Sequence, residues 1–281
     1  MNRVSTGLMT RQRTWMLTAI SVALFVLLSW IFADGLFGGS LWNSEDWVSS
    51  PLITYLLIAV IVLAGWRQAQ SIPEAGVALP AAETVMTPGQ VNDPLRWRLL
   101  LGNVFLALIW LPIRFFVGRD WLSAGWQKVT DPEWTQGGAA LQAYWQRAVT
   151  IPEQGRPPIT YDWYRQFLQY MLDNGWQSWF APLIAWGEVL VGIGLLVGAL
   201  VGIAAFFGTV MNFSFMLAGT ASSNPVLFGL AVLLVLAWKV AGFWGLDRWL
   251  LPMLGTPWGR ETAQPVGRGM PTDGTLSPGP G

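Results

Sequence analysis

Apolar stretches recur along the chain, separated by polar segments of very different length. Residues 15–33, 51–66 and 99–118 are runs of this kind, 180–220 carries Glu188 as its sole charge, and 225–245 closes the series. A helix crossing the hydrocarbon needs about 20 residues. The long run 180–220 is therefore read as two helices joined by a tight turn within the glycine-bearing stretch 198–202. The pattern predicts an all-α membrane protein with six transmembrane helices. Pro112 falls inside the third run and is expected to kink it, because proline removes a backbone donor and crowds the preceding turn.

Between the third and fourth runs lies a tryptophan-rich segment, 121–179, with two amphipathic pieces. Residues 138–149 have moderate helical periodicity. Residues 161–174 are clearer: Tyr161, Tyr164, Leu168 and Met171 form one stripe, Thr160 is placed to cap the start, and Gly175 can end the helix. Helices lying in the interface plane and a lid over the mouth of the bundle both fit this pattern.

These boundaries divide the chain into an N-terminal segment (1–14), a two-helix membrane hairpin (15–66) and a flexible linker rich in Ala, Pro, Glu and Thr (67–95). A four-helix bundle carrying the external insertion 121–179 follows (96–252), then a Gly/Pro-rich tail expected to be disordered (253–281). A signal peptide competes for the first run, but the run has full spanning length and lacks a clear cleavage site, which favours a retained helix. With six crossings both termini share one side. That side holds Arg3, Arg11, Arg13, Arg67, Arg96, Arg98 and Arg248 in short loops and tails. The positive-inside rule places it in the cytoplasm of a prokaryotic-type plasma membrane.

Composition sharpens the class. Apolar residues make up 53% of the chain and charged ones 11%, against about a quarter charged in soluble domains. The principal partner is therefore a lipid bilayer. Formal net charge is zero, which gives no electrostatic case for nucleic acid. The chain has no histidine and no cysteine. That excludes thiolate chemistry and iron–sulfur ligation, and it removes the commonest ligands for haem and transition metals. Any redox group must then belong to a diffusible carrier or to another subunit.

Candidate chemistry gathers on the third run. Arg114, Gly118, Trp121, Gly125 and Lys128 share one helical face, a composition poor for lipid contact and suited to a polar interior. Snorkelling of Arg114 and a boundary role for Arg119 and Lys128 are the alternative. Glu188 is the one acidic residue deep in an apolar run, a site candidate by default. Counting helical rise puts it within an arginine's reach of the depth of Arg114, so an Arg114–Glu188 pair is open, either as a structural register lock or as part of a proton relay. Asn212 suits interhelical hydrogen bonding, and Asp247 is placed to cap a following short helix.

Several motifs occur in one order: RFFVGRDWLSAGWQK (114–128), GEVLVGIGLLVG (187–198), MNFSFMLAG (211–219), Asn224–Pro225 and AGFWGLDRWL (241–250). Together they resemble the DoxX/DoxD family, most closely its DoxD branch, membrane subunits of thiosulfate:quinone oxidoreductases. The resemblance spans about 95–252. It implies a four-helix bundle, quinone as electron acceptor, thiosulfate oxidation and further protein subunits of a membrane complex. By position Arg114 and Lys128 match the family's basic residues on its first helix, Glu188 the acidic residue opening its second and Asp247 the one closing its fourth. A quinone-linked reading then gives Glu188 the catalytic proton handling and has Arg114, Arg119 and Lys128 hold a sulfur oxyanion. A non-catalytic accessory subunit of a larger redox complex is the competing reading.

Overall fold

A computed structural model describes residues 7–32, 41–43, 45–79, 89, 91 and 93–258 of the chain. Residues 259–281 of the expected tail (253–281) and part of the expected linker (80–88, 90 and 92) lie outside the described residues, while Met253 ends a helix.

Small or hydroxylated residues make up much of the inward face of two of the long helices. In α1 (Arg11–Phe32) the buried positions are Thr14, Thr18, Ser21, Phe25 and Ser29, whereas Met16, Ile20, Trp30 and Ile31 are exposed. In α8 (Gln177–Val197) the buried set is Ala181, Ala185, Glu188, Val189, Val191, Gly192 and Leu195, with Trp186 and Leu190 outside. This inside-out amphipathicity is what lipid selects, since hydrocarbon solvates large apolar side chains and small residues let helices approach. Helices α1, α2 (Pro51–Ser71) and α8 are each long and apolar enough to cross a bilayer. The chain is an integral membrane protein.

The third run is not a kinked helix. Helix α3 (Leu95–Gly102) stops at Asn103, whose extended backbone turns the chain and whose side chain accepts from the amide of Phe105. A 3₁₀ helix, Val104–Ile109, then leads into α4 (Trp110–Thr130), and the axis bends by 73° across this break. Pro112 sits in the first turn of α4, where a missing N–H costs nothing, so the expected proline kink gives way to a break at Asn103. Taken as one bent span, this pair gives up to four candidate crossings; α9 (Val201–Leu217) and α10 (Asn224–Leu236) are shorter apolar helices.

Helices α4 and α8 pack antiparallel through glycines. A Cβ at Gly118 would lie 2.9 Å from Leu195 Cβ, one at Gly192 would lie 2.5 Å from the Leu122 amide, and one at Gly125 would lie 2.6 Å from the Val189 amide. Those three contacts fix the register. The N-terminal hairpin shares the same core: Phe25, Ile61 and Ala64 join Leu108, Phe115, Val117 and Leu195 in one cluster. Polar contacts tie it down further. Ser21 donates to the Leu108 carbonyl at 2.9 Å and Gln68 to that of Phe105 at 2.9 Å. A two-residue ladder pairs β1 (Leu8–Met9) with β2 (Val77–Ala78), so the expected linker begins as ordered chain. The loop before α2 is anchored by Asp46, which accepts from Ser123 at 2.6 Å on α4. Burial raises the Asp46 carboxyl, but hydrogen bonds from Ser123 and Ser49 outweigh it and hold the group below its ordinary value.

The tryptophan-rich segment forms α5 (Pro132–Thr135), α6 (Ala139–Val149) and α7 (Asp162–Asp173). Tyr164, Leu168 and Met171 of α7 pack with Leu141, Trp145 and Ala148 of α6 against Ala181 and Ala218, so the segment is a cap over the bundle. Its outer face still presents Trp163, Phe167 and Tyr170. Two details differ from expectation. Helix α7 starts after Tyr161 rather than Thr160, and the exposed Tyr161 leaves the stripe because it precedes the first helical turn. The Tyr164 hydroxyl donates to the Ser214 carbonyl at 3.0 Å, and burial pushes its ionisation up to about 12. A raised value stabilises the fold below the unfolded tyrosine's pH of about 10, and that stability is lost as pH rises toward about 12. Tyr164→Phe should remove a tyrosinate absorbance step in that alkaline window and destabilise the cap by about 1 kcal/mol. A titration curve identical to wild type would refute the assignment.

Candidate functional site

The register of α4 on α8 decides where the charges go. Arg114 lies opposite Gly198, about 15 Å of helix beyond Glu188. The expected Arg114–Glu188 pair is therefore absent. Depth counting places the third crossing at 99–118, whereas α4 runs from Trp110 to Thr130, which slides every charge on it relative to α8.

Arg114 is 1% exposed and donates from Nη1 to the Ala241 carbonyl at 3.2 Å and from Nη2 to that of Trp244 at 3.1 Å. Nearby, Asp247 opens α12 (Asp247–Met253) but does not cap it. Its carboxylate instead accepts the amides of Leu200 at 2.6 Å and Val201 at 3.0 Å, capping the N-terminus of α9 from across the chain. The Leu246 and Asp247 amides close the turn by donating to the Val197 and Gly198 carbonyls. Gly198 has φ +69° and leaves room for the guanidinium, since a Cβ there would overlap Arg114 Nη1. This cluster is a structural latch at one end of the bundle. Arg119, one turn further along α4, turns away toward α2 and donates to Thr54 Oγ1 at 2.6 Å. The three cations expected to bind one anion thus serve three separate places.

Lys128 is the one that meets the carboxylate. Its Nζ lies 2.6 Å from Glu188 Oε2, with Glu188 1% exposed and the lysine 20% exposed. Trp134 of the cap stands 5.2 Å from the ammonium as a cation–π partner. The pair forms one wall of a cavity of about 440 Å³. Asp120, Trp121 and Ala124 of α4 supply the neighbouring wall; Trp134, Tyr144 and Arg147 roof it from the cap. Asn212 and Phe215 of α9, with Thr220, Ser223 and Asn224 before and at the start of α10, complete it. Tyr144 shares a hydrogen bond with Thr220 at 2.9 Å, which fastens the roof to the α9–α10 loop.

Polar atoms are left over in this chamber. Asn212 is fully buried, yet neither its amide nitrogen nor its oxygen has a partner, and the Trp121 indole N–H is also unpaired. Buried polar groups are ordinarily satisfied, so these atoms mark the place where a ligand or water would bond. Among the described residues no group of three or more acidic side chains could hold a metal ion.

Asn212, expected to hydrogen-bond between helices, is instead an unpaired chamber residue, and Asp247, expected to cap the following short helix, is a latch residue. Sequence reasoning missed Asp120, Tyr144, Arg147 and Ser223. The signal for the right pairing was present: Gly118 and Gly125 lie seven residues apart on α4, and matching them to Gly192 on α8 yields Lys128 opposite Glu188.

Lipid-facing apolar helices, an amphipathic cap and a polar chamber beneath it together describe a helical membrane protein. Residues 109–221 match the family model described as DoxX. The match takes in α4, the cap, α8 and α9, the elements that make three sides of the chamber, and leaves out the N-terminal hairpin, α10 and α12. No curated protein and no solved structure matches the chain.

Proposed function

We propose that this protein is the membrane subunit of a quinone-linked oxidoreductase and that the chamber beneath the cap is its reaction site. The observation that carries this reading is the Lys128–Glu188 pair, buried on the wall of a cavity that holds unsatisfied hydrogen-bonding atoms. A carboxylate locked to an ammonium away from bulk water can exchange a proton with a reduced ligand, which is what quinone chemistry requires of its protein. With neither histidine nor cysteine in the chain, electrons pass between the quinone and a substrate or partner subunit, not through a group held here.

In this reading α1, α2, the bent α3–α4 pair, α8, α9 and α10 make six crossings. Both termini face the cytoplasm, and the cap faces outward. The electron donor is a sulfur oxyanion of the thiosulfate kind, and Lys128 and Arg147 are the cations within the chamber that it can approach. Arg114 and Arg119 have no part in binding it. The accessory-subunit reading draws on the same missing redox ligands, and the test separates the two. Membranes containing the full chain should reduce a short-tailed quinone at the expense of thiosulfate faster than membranes without it. Glu188→Gln should slow that reaction about 10²-fold. Equal rates with and without the chain would overturn the catalytic reading, and co-purification with a redox-active protein would then identify an accessory subunit.

A further inference from the structure

Two apolar spaces adjoin the chamber on the side toward the lipid face. Between α8 and α9 runs an apolar cleft of about 470 Å³, floored in part by Gly187, Gly194 and Ala204 and edged by Leu190, Ile203 and Phe207. Phe180, Ile184, Val210 and Met211 line this cleft and also an inner apolar cavity of about 180 Å³. That cavity in turn shares Tyr144 and Phe215 with the polar chamber. Three spaces therefore lie in series from hydrocarbon to the Lys128–Glu188 wall, with the edge-to-face Tyr144–Phe215 pair, centroids 6.5 Å apart, between the second and third.

The unpaired atoms sit on one side of the chamber. A Cβ at Gly208 would lie 3.0 Å from Trp121 Nε1, and Asn212 is one turn along the same face of α9. The indole offers a donor; the amide offers a donor and an acceptor. Among charged side chains the chamber balances Lys128 and Arg147 against Asp120 and Glu188, so it does not call for net charge on its occupant.

We infer that the three spaces form one bipartite site for a membrane-borne amphiphile. Its oxygen-bearing neutral head bonds to Trp121 and Asn212 in the chamber, and its apolar tail leaves through the cleft between α8 and α9. An asparagine that both donates and accepts can hold a carbonyl head and its hydroxyl form alike. The assignment deepens the redox reading and rests on it for the choice of a quinone as probe.

Equilibrium binding to the full chain in lipid nanodiscs, with no electron donor present, tests it. The probes are decylubiquinone and its tailless ring, 2,3-dimethoxy-5-methyl-1,4-benzoquinone. Asn212→Leu and, as a shape-conserving second variant, Trp121→Phe should each weaken both probes about tenfold, the equivalent of one hydrogen bond. Gly187→Leu, at a position where an added Cβ meets nothing nearer than Met211 Sδ at 3.8 Å, should fill the cleft. It should weaken the tailed probe about tenfold and leave the tailless ring unchanged. Wild-type affinity of both probes in Asn212→Leu and Trp121→Phe would overturn the head seat. Equal loss of both probes in Gly187→Leu, or of neither, would overturn the tail path. Because no turnover is measured, an inactive protein that binds as described sinks the redox reading alone, and an active one with unaltered binding in these variants sinks this inference alone.

Discussion

Asp247→Ala should destabilise the protein by roughly 1–3 kcal/mol, the range for leaving a buried donor without its acceptor. Asp247 is fully buried and Arg114 nearly so. Without the carboxylate, the Leu200 and Val201 amides lose their acceptor, and Arg114, held by the carbonyls of Ala241 and Trp244, loses a nearby negative charge. Asp247→Asn retains an acceptor but not the charge, and should fall between the alanine variant and wild type. Gly198→Ala attacks the same latch from the other side: the residue must adopt φ +69° and its methyl would overlap Arg114 Nη1. Thermal unfolding of the detergent-solubilised chain, followed by fluorescence of its nineteen tryptophans, reads all three. An Asp247→Ala midpoint within a degree of wild type would show that the helix-end carbonyls neutralise Arg114 by themselves, and the latch would then have no structural weight.

How much of this was legible beforehand depended on what kind of physics set each feature. The apolar runs announced helices at each of their positions, because solvation by lipid acts on every residue of a span. The amphipathic stripe Tyr164–Leu168–Met171 likewise announced the cap. Glu188 was read as deep in the membrane and Arg114 as either inward or snorkelling, and the pair left open between them does not form, because burial is a one-dimensional property while pairing depends on the register between two helices. That register comes from backbone approach at Gly118, Gly125 and Gly192, and a count of residues from presumed membrane edges cannot supply it. Pro112 misled for a related reason: whether proline bends a helix depends on where the helix begins, and Asn103 moved that beginning to Trp110. The long-range cap supplied by Asp247 to α9 had no local signature at all, since its partners lie almost fifty positions upstream. The chamber was half legible. Lys128, Glu188 and Asn212 carried the oddity of polar groups in apolar surroundings, whereas Tyr144, Arg147 and Ser223 look ordinary until the cap folds over them.

A double-mutant cycle on Lys128 and Glu188 should give the second large effect, with a sign pattern that separates structure from chemistry. Lys128→Met alone leaves a carboxylate that is 1% exposed without its ammonium at 2.6 Å. It should cost about 3–5 kcal/mol unless Glu188 takes up a proton. Glu188→Gln alone leaves the lysine 20% exposed, able to turn its charge toward water, and should cost only about 1–2 kcal/mol. Combining them removes both charges at once. The double variant should therefore be more stable than Lys128→Met, with a coupling of roughly 1–3 kcal/mol. Quinone reduction should not recover in parallel, because an amide beside a thioether has neither a proton to give nor a base to receive one. Denaturation midpoints and turnover measured on the same four proteins read the two quantities independently. If turnover returned together with stability in the double variant, the pair would be a packing device that happens to face a cavity. If stability returned while turnover stayed absent, the ammonium and carboxylate would be the working groups of the chamber, held in place by the glycine seam between α4 and α8.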